Sequence, residues 1–425
     1  MFFFLNLKNS NLNNLLFLLL CFIPAALISG PFLPDFIVFV FIFVFIFFSK
    51  IKLDLFLKDN YFKLLFYFWI SICISSIMSA NLLFSLKTSF FFLRFFLFSF
   101  FCGFIIFYNK NKLHLFFKLL LFTLTFFSLD ALFQYFFGYN ILGYKQTVEN
   151  RLGGLFNTKL VVGSYLSKLY PILLSVYFFC YDKITKNWKH LFLFSSIIIT
   201  IVIFLSGERA SFYHHVIFLT LFFFISSIKN LFGNRIYLYL LLVISLILLF
   251  IVFNPKIKNR IFSPIFKINI EKNIFTNYHL AHFYSAYKIF LDNKLIGAGP
   301  RMFRKLCSEE RYDVKDVDSL KNYTPCSTHP HNTYIQILAE GGLIAFFIIV
   351  FFYLLVVSKI IKQIYYKFFK NQYFYKNYEI CIQIAIFVYL FPLSTNGNFF
   401  NNWVNIFLSL YLSFSYFFFI FRSTK

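Results

Sequence analysis

Apolar runs of about 18 or more residues recur along the whole chain, and they constrain its fold more than any other feature. Of the 425 residues, 60% are hydrophobic and 73 are Phe, whereas a soluble domain is about 45–50% apolar. Runs of this length are typical of membrane-spanning helices. We therefore predict an all-α polytopic membrane protein rather than a soluble helical bundle.

Twelve runs are long enough to be interpreted as spans. They cover residues 15–28, 32–48, 64–78, 90–107, 115–137, 160–180, 191–205, 212–228, 236–253, 334–357, 380–393 and 404–421. This pattern predicts three parts: nine transmembrane helices in residues 1–253, one long polar loop in residues 254–332, and three transmembrane helices in residues 333–425. The first run continues directly into the second, so the N-terminus lacks the layout of a cleavable signal.

The distribution of Lys and Arg predicts the orientation. With the N-terminus in the cytoplasm, each short inside loop carries at least as many basic residues as the outside loops beside it, as the positive-inside rule requires. The inside loops hold Lys50, Lys52, Lys58 and Lys63, then Lys110, Lys112 and Lys118, then Lys183, Lys186 and Lys189, then Lys229 and Arg235, and then Lys359, Lys362, Lys367, Lys370 and Lys376. We therefore expect both termini in the cytoplasm and the 254–332 loop outside. This rule accounts for much of the net charge of +24, and since no nucleic-acid-binding motif is present, we expect no nucleic-acid partner.

Two cysteines, Cys307 and Cys326, are the only ones in the predicted outward loop. An oxidising compartment would allow them to form a disulfide, and two free thiols are the alternative. A zinc site formed with His329 and His331 is possible by ligand type, but the spacing matches no zinc pattern. We expect no metal.

Two arginines follow turns at the predicted outer surface. Arg209, in SGERAS, stands at the start of a helix, where a guanidinium and the helix N-terminus can both bind phosphate. The alternative is a turn in which Arg209 pairs with Glu208. Arg151, in ENRLGG, precedes Gly153-Gly154, which permits a close backbone approach; an interfacial turn with one surface Arg is the alternative.

A third motif, IGAGPRMFR, contains a Gly-Pro turn signal. It is not a nucleotide-binding fingerprint, because the third Gly is missing and no βαβ unit surrounds it. Arg301 and Arg304 follow this turn and are expected to project from the next helix. They could clamp a pyrophosphate or simply solvate the loop.

The fourth motif, THPHNTYIQILAEGG, leads into the tenth predicted span. A neutral His331 at the membrane surface could take a proton from a sugar hydroxyl near pH 7, and a capping or interfacial His is the alternative. Glu340 lies within the apolar run and needs a partner there. His282 could line the same site. Arg94 and Asp130 are further intramembrane charges, which either serve function or pair within the bundle.

Together these stretches, from Asp130 to Gly342, resemble the O-antigen ligase/polymerase superfamily of bacterial inner membranes. The resemblance comprises RLGGLF after a span with a Gln, SGERAS, IGAGPRMF and PHNTYIQILAEGG, in this order and with a long outward loop in the expected gap. The ligase pattern of His, a small amide or hydroxyl residue, nine residues and Gly fits His331, Asn332 and Gly342. Ala345 and Tyr213 depart from ligase patterns, which leaves ligase and polymerase both open.

The resemblance implies a bundle like that of GT-C glycosyltransferases and an active site at the periplasmic face of the bacterial inner membrane. It implies metal-independent, inverting transfer of a glycan from undecaprenyl pyrophosphate to lipid A–core, without a cofactor. The alternatives are a polymerase that joins lipid-linked repeat units and a flippase for the same lipids. In this scheme His331 is catalytic and Asn332, Glu208 and His282 support it. The donor pyrophosphate is bound by Arg209, Arg301, Arg304 and Arg151.

Overall fold

The computed structural model describes residues 10–49, 53–226 and 275–423. Within these ranges the chain forms α-helices joined by turns and short 3₁₀ helices, and it contains no β-strand. The helices are α1 (Ser10–Ala26), α2 (Phe32–Phe48), α3 (Asn60–Ile77), α4 (Leu82–Tyr108), α5 (Leu113–Phe137), α6 (Val162–Phe179), α7 (Lys186–Leu205), α8 (Arg209–Ile225), α9 (Asn277–Asp292), α10 (Phe303–Leu306), α11 (Thr333–Phe369), α12 (Asn377–Tyr389) and α13 (Asn402–Ser423).

The predicted spans overlap these helices wherever the structure describes them. Six of the helical segments described are long and apolar enough to cross a membrane: α3, α4, the segment containing α5, α7, α11 and α13. Helices α1, α2, α8 and α12 are apolar but shorter. The all-helical, polytopic architecture is thus confirmed for the described residues, whereas the total of twelve spans stays a prediction. The predicted span 236–253 and residues 254–274 of the predicted loop lie outside the described residues.

Helix α4 lies within the bundle and packs along α13, with α2 and α3 on its other sides. Gly103 permits the close approach of α13, because a Cβ atom there would lie 2.8 Å from the Tyr416 ring and 3.0 Å from the Ser413 carbonyl oxygen. The opposite surface of α4 exposes Phe90 and Phe91. Large apolar side chains outside and a close-packed interior are what a lipid-embedded bundle requires.

The intramembrane charges have partners within the protein. Arg94 forms an ion pair with Asp35, with 3.0 Å between Nη2 and Oδ1, and Asn402 donates to the same carboxylate over 3.0 Å. Asp130 accepts a hydrogen bond from the Ile141 amide over 3.0 Å and anchors the turn after α5. These contacts favour the packing interpretation for both Arg94 and Asp130.

The described part of the predicted outward loop is a small folded unit. Helix α9 lies along α11, and Ile289 packs with Met302 and Phe303 against Ala339 of α11. Because α11 also forms part of the membrane bundle, this unit is held directly on the end of a spanning helix. Side chains from α9 and from the start of α11 therefore share one site.

Candidate active site

Four histidines form a cluster where α9 meets the turn before α11. His279 and His282 lie on α9, while His329 and His331 lie in the turn. The His331 ring centroid is 4.2 Å from that of His329 and 5.3 Å from those of His279 and His282. The sequence separates these pairs by about 50 residues, and the packing of α9 on α11 brings them together.

The turn that carries His331 is fixed by hydrogen bonds to the loop between α12 and α13. The Asn396 backbone amide donates to the His331 carbonyl oxygen over 2.8 Å, and the His329 Nε2 atom lies 3.1 Å from the Asn396 carbonyl oxygen. His331 has φ +61°, a left-handed conformation that is uncommon for a residue other than Gly. The hydrogen bonds offset the cost of that conformation and hold the ring in one place.

Asn332 has a structural role beside His331. Its side-chain oxygen accepts the amides of Tyr334 and Ile335 at 3.0 and 3.1 Å and so caps the N-terminus of α11. Its side-chain nitrogen donates to the Pro392 carbonyl oxygen over 2.7 Å. Asn332 therefore supports His331 by fixing both the helix start and the neighbouring loop.

The environment favours neutral imidazoles. Burial lowers the pKa of His331 to about 4, and the positive charge that His279 can carry adds to this shift. Burial likewise lowers the pKa of His282 to about 4 and that of His329 to about 3. A neutral His331 at pH 7 can accept a proton, which is the state that a general base needs. Its Nε2 atom lies 3.3 Å from the Ser327 hydroxyl oxygen.

His282 is fully buried, and neither ring nitrogen makes a well-aligned hydrogen bond with the described residues. The carbonyl of Cys326 nevertheless lies close enough to raise its pKa slightly against the larger effect of burial. Its ring is stacked on that of His331 at an interplanar angle of 29°. His282 thus contacts the candidate base directly, and its supporting role stays a prediction.

Arg209 approaches the cluster from the start of α8. Burial lowers the pKa of His279, and the positive charge of Arg209 lowers it further. The Arg209 guanidinium therefore lies within electrostatic reach of the cluster. The preceding residue, Glu208, binds a different helix: its carboxylate accepts the Gly163 amide over 2.6 Å and the Ser164 hydroxyl over 2.7 Å. Glu208 therefore joins α8 to the N-terminus of α6 and fixes the position at which Arg209 begins α8.

Glu208 lies among cations. Burial raises the pKa of its carboxyl group, and the hydrogen bonds from Ser164 and Gly163 and the charges of Arg151 and Lys168 oppose that shift. Arg151 donates to the Leu160 carbonyl oxygen over 2.8 Å. Arg151 therefore lies near Glu208, on the α6 side of the site, and its guanidinium also shapes the 151–160 turn.

Arg304 approaches the cluster from α10. It donates to the Thr328 carbonyl oxygen over 3.1 Å, and its charge contributes to the lowered pKa of His329, in which burial dominates. Arg301 instead precedes α10, with φ +64°, and its guanidinium lies 5.6 Å from the Phe84 ring centroid. The expectation that both arginines project from the following helix is therefore wrong for Arg301, because the turn ends only at Met302.

The backbone of the Gly297–Gly299 turn packs against α11 at Gly342, where the helix is interrupted. Gly342 has φ +71° and ψ −172°, and a Cβ atom there would lie 2.4 Å from the Leu295 carbonyl oxygen. A Cβ atom on Gly297 would lie 2.4 Å from the Gly342 amide nitrogen. The Gly299 amide donates to the Glu340 carbonyl oxygen over 2.8 Å. The two Gly pairs therefore permit a backbone approach that side chains would prevent.

Glu340 has its partners in the same junction. Its carboxylate accepts the Phe303 amide over 2.9 Å and the Gln336 side-chain amide over 2.9 Å. The intramembrane carboxylate that the sequence singled out thus holds the start of α10, and with it the arginine-bearing turn, against α11.

Cys307 is bonded to Cys326. Their Cα atoms are 5.1 Å apart, which suits a disulfide. The bond joins the end of α10 to the chain just before the His329–His331 turn. With both sulfurs engaged, the alternative zinc site loses its two thiolate ligands.

Some site residues were missed by sequence reasoning. His279 and His329 join the cluster, although the sequence analysis assigned the catalytic and supporting roles to their neighbours His331 and His282. Lys168, inside the predicted 160–180 span, carries an intramembrane charge and could have been found by that criterion. Asn396 carries no comparable signal, because its contribution is made through backbone atoms of a loop.

One comparison with known proteins gives a match to part of the chain. Residues 194–350 match a family model described as O-Antigen ligase, a range that includes Arg209, His282, Arg304 and His331. No curated protein matches the chain. Members of the matched family are membrane glycosyltransferase-like ligases and polymerases that act on lipid-linked glycans. Residues 194–350 of this multi-pass membrane protein are thus similar to the O-antigen ligase family, and the match supports the O-antigen ligase superfamily for that part of the chain.

Proposed function

We propose that this protein transfers a glycan from undecaprenyl pyrophosphate to lipid A–core at the periplasmic face of the bacterial inner membrane. The alternative within the same family is a polymerase that transfers the glycan to another lipid-linked repeat unit. The observation that carries the proposal is the position of a half-buried, neutral His331 within a cluster that two arginines, Arg209 and Arg304, approach from different helices.

The arginines suit the leaving group. When the bond between the anomeric carbon and the donor oxygen breaks, the electron pair and negative charge remain on the pyrophosphate. A guanidinium stays protonated and can make two parallel hydrogen bonds to phosphate oxygens. We assign this role to Arg209 and Arg304, with Arg301 and Arg151 as further cations near them. Holding the developing charge is the larger part of catalysis when the leaving group is already good.

His331 suits the acceptor. An acceptor sugar hydroxyl attacks the anomeric carbon from the face opposite the pyrophosphate, so a new glycosidic bond forms with inversion. The hydroxyl proton passes to the neutral imidazole of His331, and the imidazolium later releases it to water. Asn332 and His282 act through His331 by fixing the turn and packing on the ring, and Glu208 fixes the helix start that presents Arg209.

A deletion strain separates ligase from polymerase. Loss of a ligase leaves lipid A–core without any glycan repeat units, while loss of a polymerase leaves core that carries a single unit. Gel analysis of the lipopolysaccharide therefore has two distinct outcomes, and we expect the first. A ladder indistinguishable from that of the parent strain would contradict both assignments.

The proposed orientation can be tested on the folded unit itself. Lys315 is 79% exposed in its side chain and lies in the predicted periplasmic part. In cells, Lys315→Cys should react with a membrane-impermeant maleimide, whereas Lys186→Cys, at the exposed start of α7, should react only after permeabilisation. Cytoplasmic labelling at Lys315 would overturn the orientation, with both termini in the cytoplasm, and the periplasmic site.

A further inference from the structure

A cavity lies on the bundle side of the His331 turn. The space in it that a water-sized sphere can occupy is about 30 Å³, and it is lined by residues of α6, α8, α11, α12, α13 and the loop before α13. Most of its lining is apolar, and the polar side chains on it include Lys168, His214, Thr333 and Asn396.

This cavity and the His331 turn share a wall. The Asn396 side chain donates to the Thr333 hydroxyl over 3.3 Å, while the Asn396 backbone amide binds the His331 carbonyl oxygen. His214 lies 2.6 Å from the hydroxyl of Ser394 in the same loop. A ligand in the cavity would therefore lie against the backbone that positions His331.

Lys168 brings a charge into this cavity from the second turn of α6. Among the described residues, no carboxylate oxygen lies within 4.0 Å of its ammonium and no group accepts a hydrogen bond from it. The ammonium lies 5.4 Å from the ring centroids of Trp403 and Phe407. The carboxylate whose charge acts on it, Glu208, already accepts the Gly163 amide and the Ser164 hydroxyl. An ammonium within a predicted span and without a direct counter-ion is costly, and such residues mark substrate sites by default.

We propose that Lys168 binds a phosphate group of the polyprenyl-pyrophosphate donor from within this cavity. The proposal rests on the proposed function, and it adds a residue outside the 194–350 range of the family match. The ligand is a phosphate because the cavity supplies an ammonium and neutral hydrogen-bonding groups but no carboxylate among its described lining residues. Arg151 acts on the same Glu208 carboxylate as Lys168 does, so the surroundings on this side of the site are net positive.

The test measures binding of undecaprenyl pyrophosphate to the full chain in nanodiscs of neutral lipid. Lys168→Met should weaken binding on the order of tenfold or more, the effect of losing one hydrogen bond to a charged group, while Lys168→Arg should retain most of the affinity. Lys159→Met is the matched control, because Lys159 is exposed one turn before the start of α6. This variant should bind undecaprenyl pyrophosphate as the wild type does. Melting temperatures of the variants show whether each is folded.

A second measurement uses the wild-type protein and needs no variant. Undecaprenyl pyrophosphate should protect Lys168, but not Lys159, from acylation by an amine-reactive reagent, as read by mass spectrometry of peptides. Equal labelling with and without the lipid, or unchanged affinity of a folded Lys168→Met protein, would overturn the role of Lys168 and leave the proposed function standing. Failure of the wild type to bind undecaprenyl pyrophosphate would instead contradict the proposed function. If protection by anionic phospholipid equals that by the pyrophosphate lipid, the occupant is a phospholipid headgroup and the proposal is wrong.

Discussion

The backbone amide of Asn396 lies 2.8 Å from the carbonyl oxygen of His331, and this hydrogen bond joins the loop before α13 to the turn before α11. The Asn396 carbonyl oxygen also lies 3.1 Å from the His329 ring. One loop residue thus contacts both histidines of the HPH motif. The candidate base is therefore positioned by a part of the chain that lies outside the range of the family match.

Arg209→Ala should weaken both donor binding and turnover. If the guanidinium holds the pyrophosphate, its loss removes a hydrogen bond to a charged group, worth about 1.5–3 kcal/mol, or roughly 10- to 150-fold in affinity. Arg209→Lys should recover only part of this, because an ammonium lacks the bidentate geometry. Binding of undecaprenyl pyrophosphate and glycan transfer are measured on the same preparations.

Arg422→Ala is the control for this prediction, since Arg422 is exposed at the end of α13 and should be neutral. Donor affinity equal to that of the wild type in a folded Arg209→Ala protein would remove Arg209 from the pyrophosphate site.

Gly342→Ala should strongly destabilise the protein. The backbone angles of Gly342 fall in a region that is essentially restricted to Gly, which alone costs about 1–3 kcal/mol, and the added Cβ atom would lie 2.4 Å from the Leu295 carbonyl oxygen. We expect a large fall in melting temperature and loss of transfer. Gly143→Ala is a matched control: Gly143 also has a positive φ, of +81°, but no atom lies within 4 Å of its Cβ position. Equal melting temperatures for the two variants would show that the close approach does not matter.

Removal of the disulfide should loosen the turn more than it affects the chemistry. Cys307 and Cys326 are 19 residues apart, and closing a loop of this size contributes about 3 kcal/mol in the chain-entropy model. Cys307→Ser with Cys326→Ser should therefore increase amide exchange in residues 326–331, while transfer falls less than in His331→Ala. Mass spectrometry of unreduced peptides should show the bond, and two free thiols in the purified protein would contradict the prediction.

The histidine cluster should make stability depend on pH. The folded-state pKa values of His331 and His282 are about 4 and that of His329 is about 3, against an ordinary value of 6.5. Between pH 6.5 and about 4 the unfolded chain thus binds more protons than the folded one, so stability is complete above pH 6.5 and is lost as the pH falls. Melting temperatures measured across this range should decline toward low pH.

The lowered pKa of His331 also predicts how the transfer rate depends on pH in the acid range. If His331 acts as the base, the transfer rate should begin to fall only near pH 4, well below the 6.5 of an ordinary imidazole. His329→Gln should flatten the dependence of stability on pH, whereas His190→Gln, at an exposed position in α7, should not. A melting temperature that stays constant from pH 7 to about pH 4 would show that the rings are not buried as described.

The helices were predictable from the sequence because each apolar run is a local signal. The predicted spans overlap helices wherever the structure describes them, and Gly297-x-Gly299 forms the turn that its composition indicates. The break in α11 at Gly342 was harder to predict from the sequence. Gly341-Gly342 indicated a close neighbour, but the sequence did not indicate that this neighbour is the backbone at Leu295 and Gly297. A contact between segments so far apart in the chain leaves no periodic pattern.

The site was predictable only in part, for a similar reason. Arg209, Arg304 and His331 stand in recognisable motifs, and the structure brings them to one cluster. The alternative in which Glu208 pairs with Arg209 did not foresee that the Glu208 carboxylate caps α6, because tertiary packing decides which helix lies opposite a turn. Asn396 contributes through its backbone, which has no residue-specific signature at all.

Replacement of His331 tests the central claim most directly. In a strain that lacks the chromosomal gene, His331→Ala should insert at the wild-type level and still bind undecaprenyl pyrophosphate, yet glycan transfer should fall by about 10²–10⁴-fold, the usual contribution of a general base. His329→Ala, two residues away, should be much milder in the same assay. A His331→Ala protein that is normally expressed and supports a wild-type glycan ladder would contradict the account, because it would remove the base on which the proposed mechanism depends.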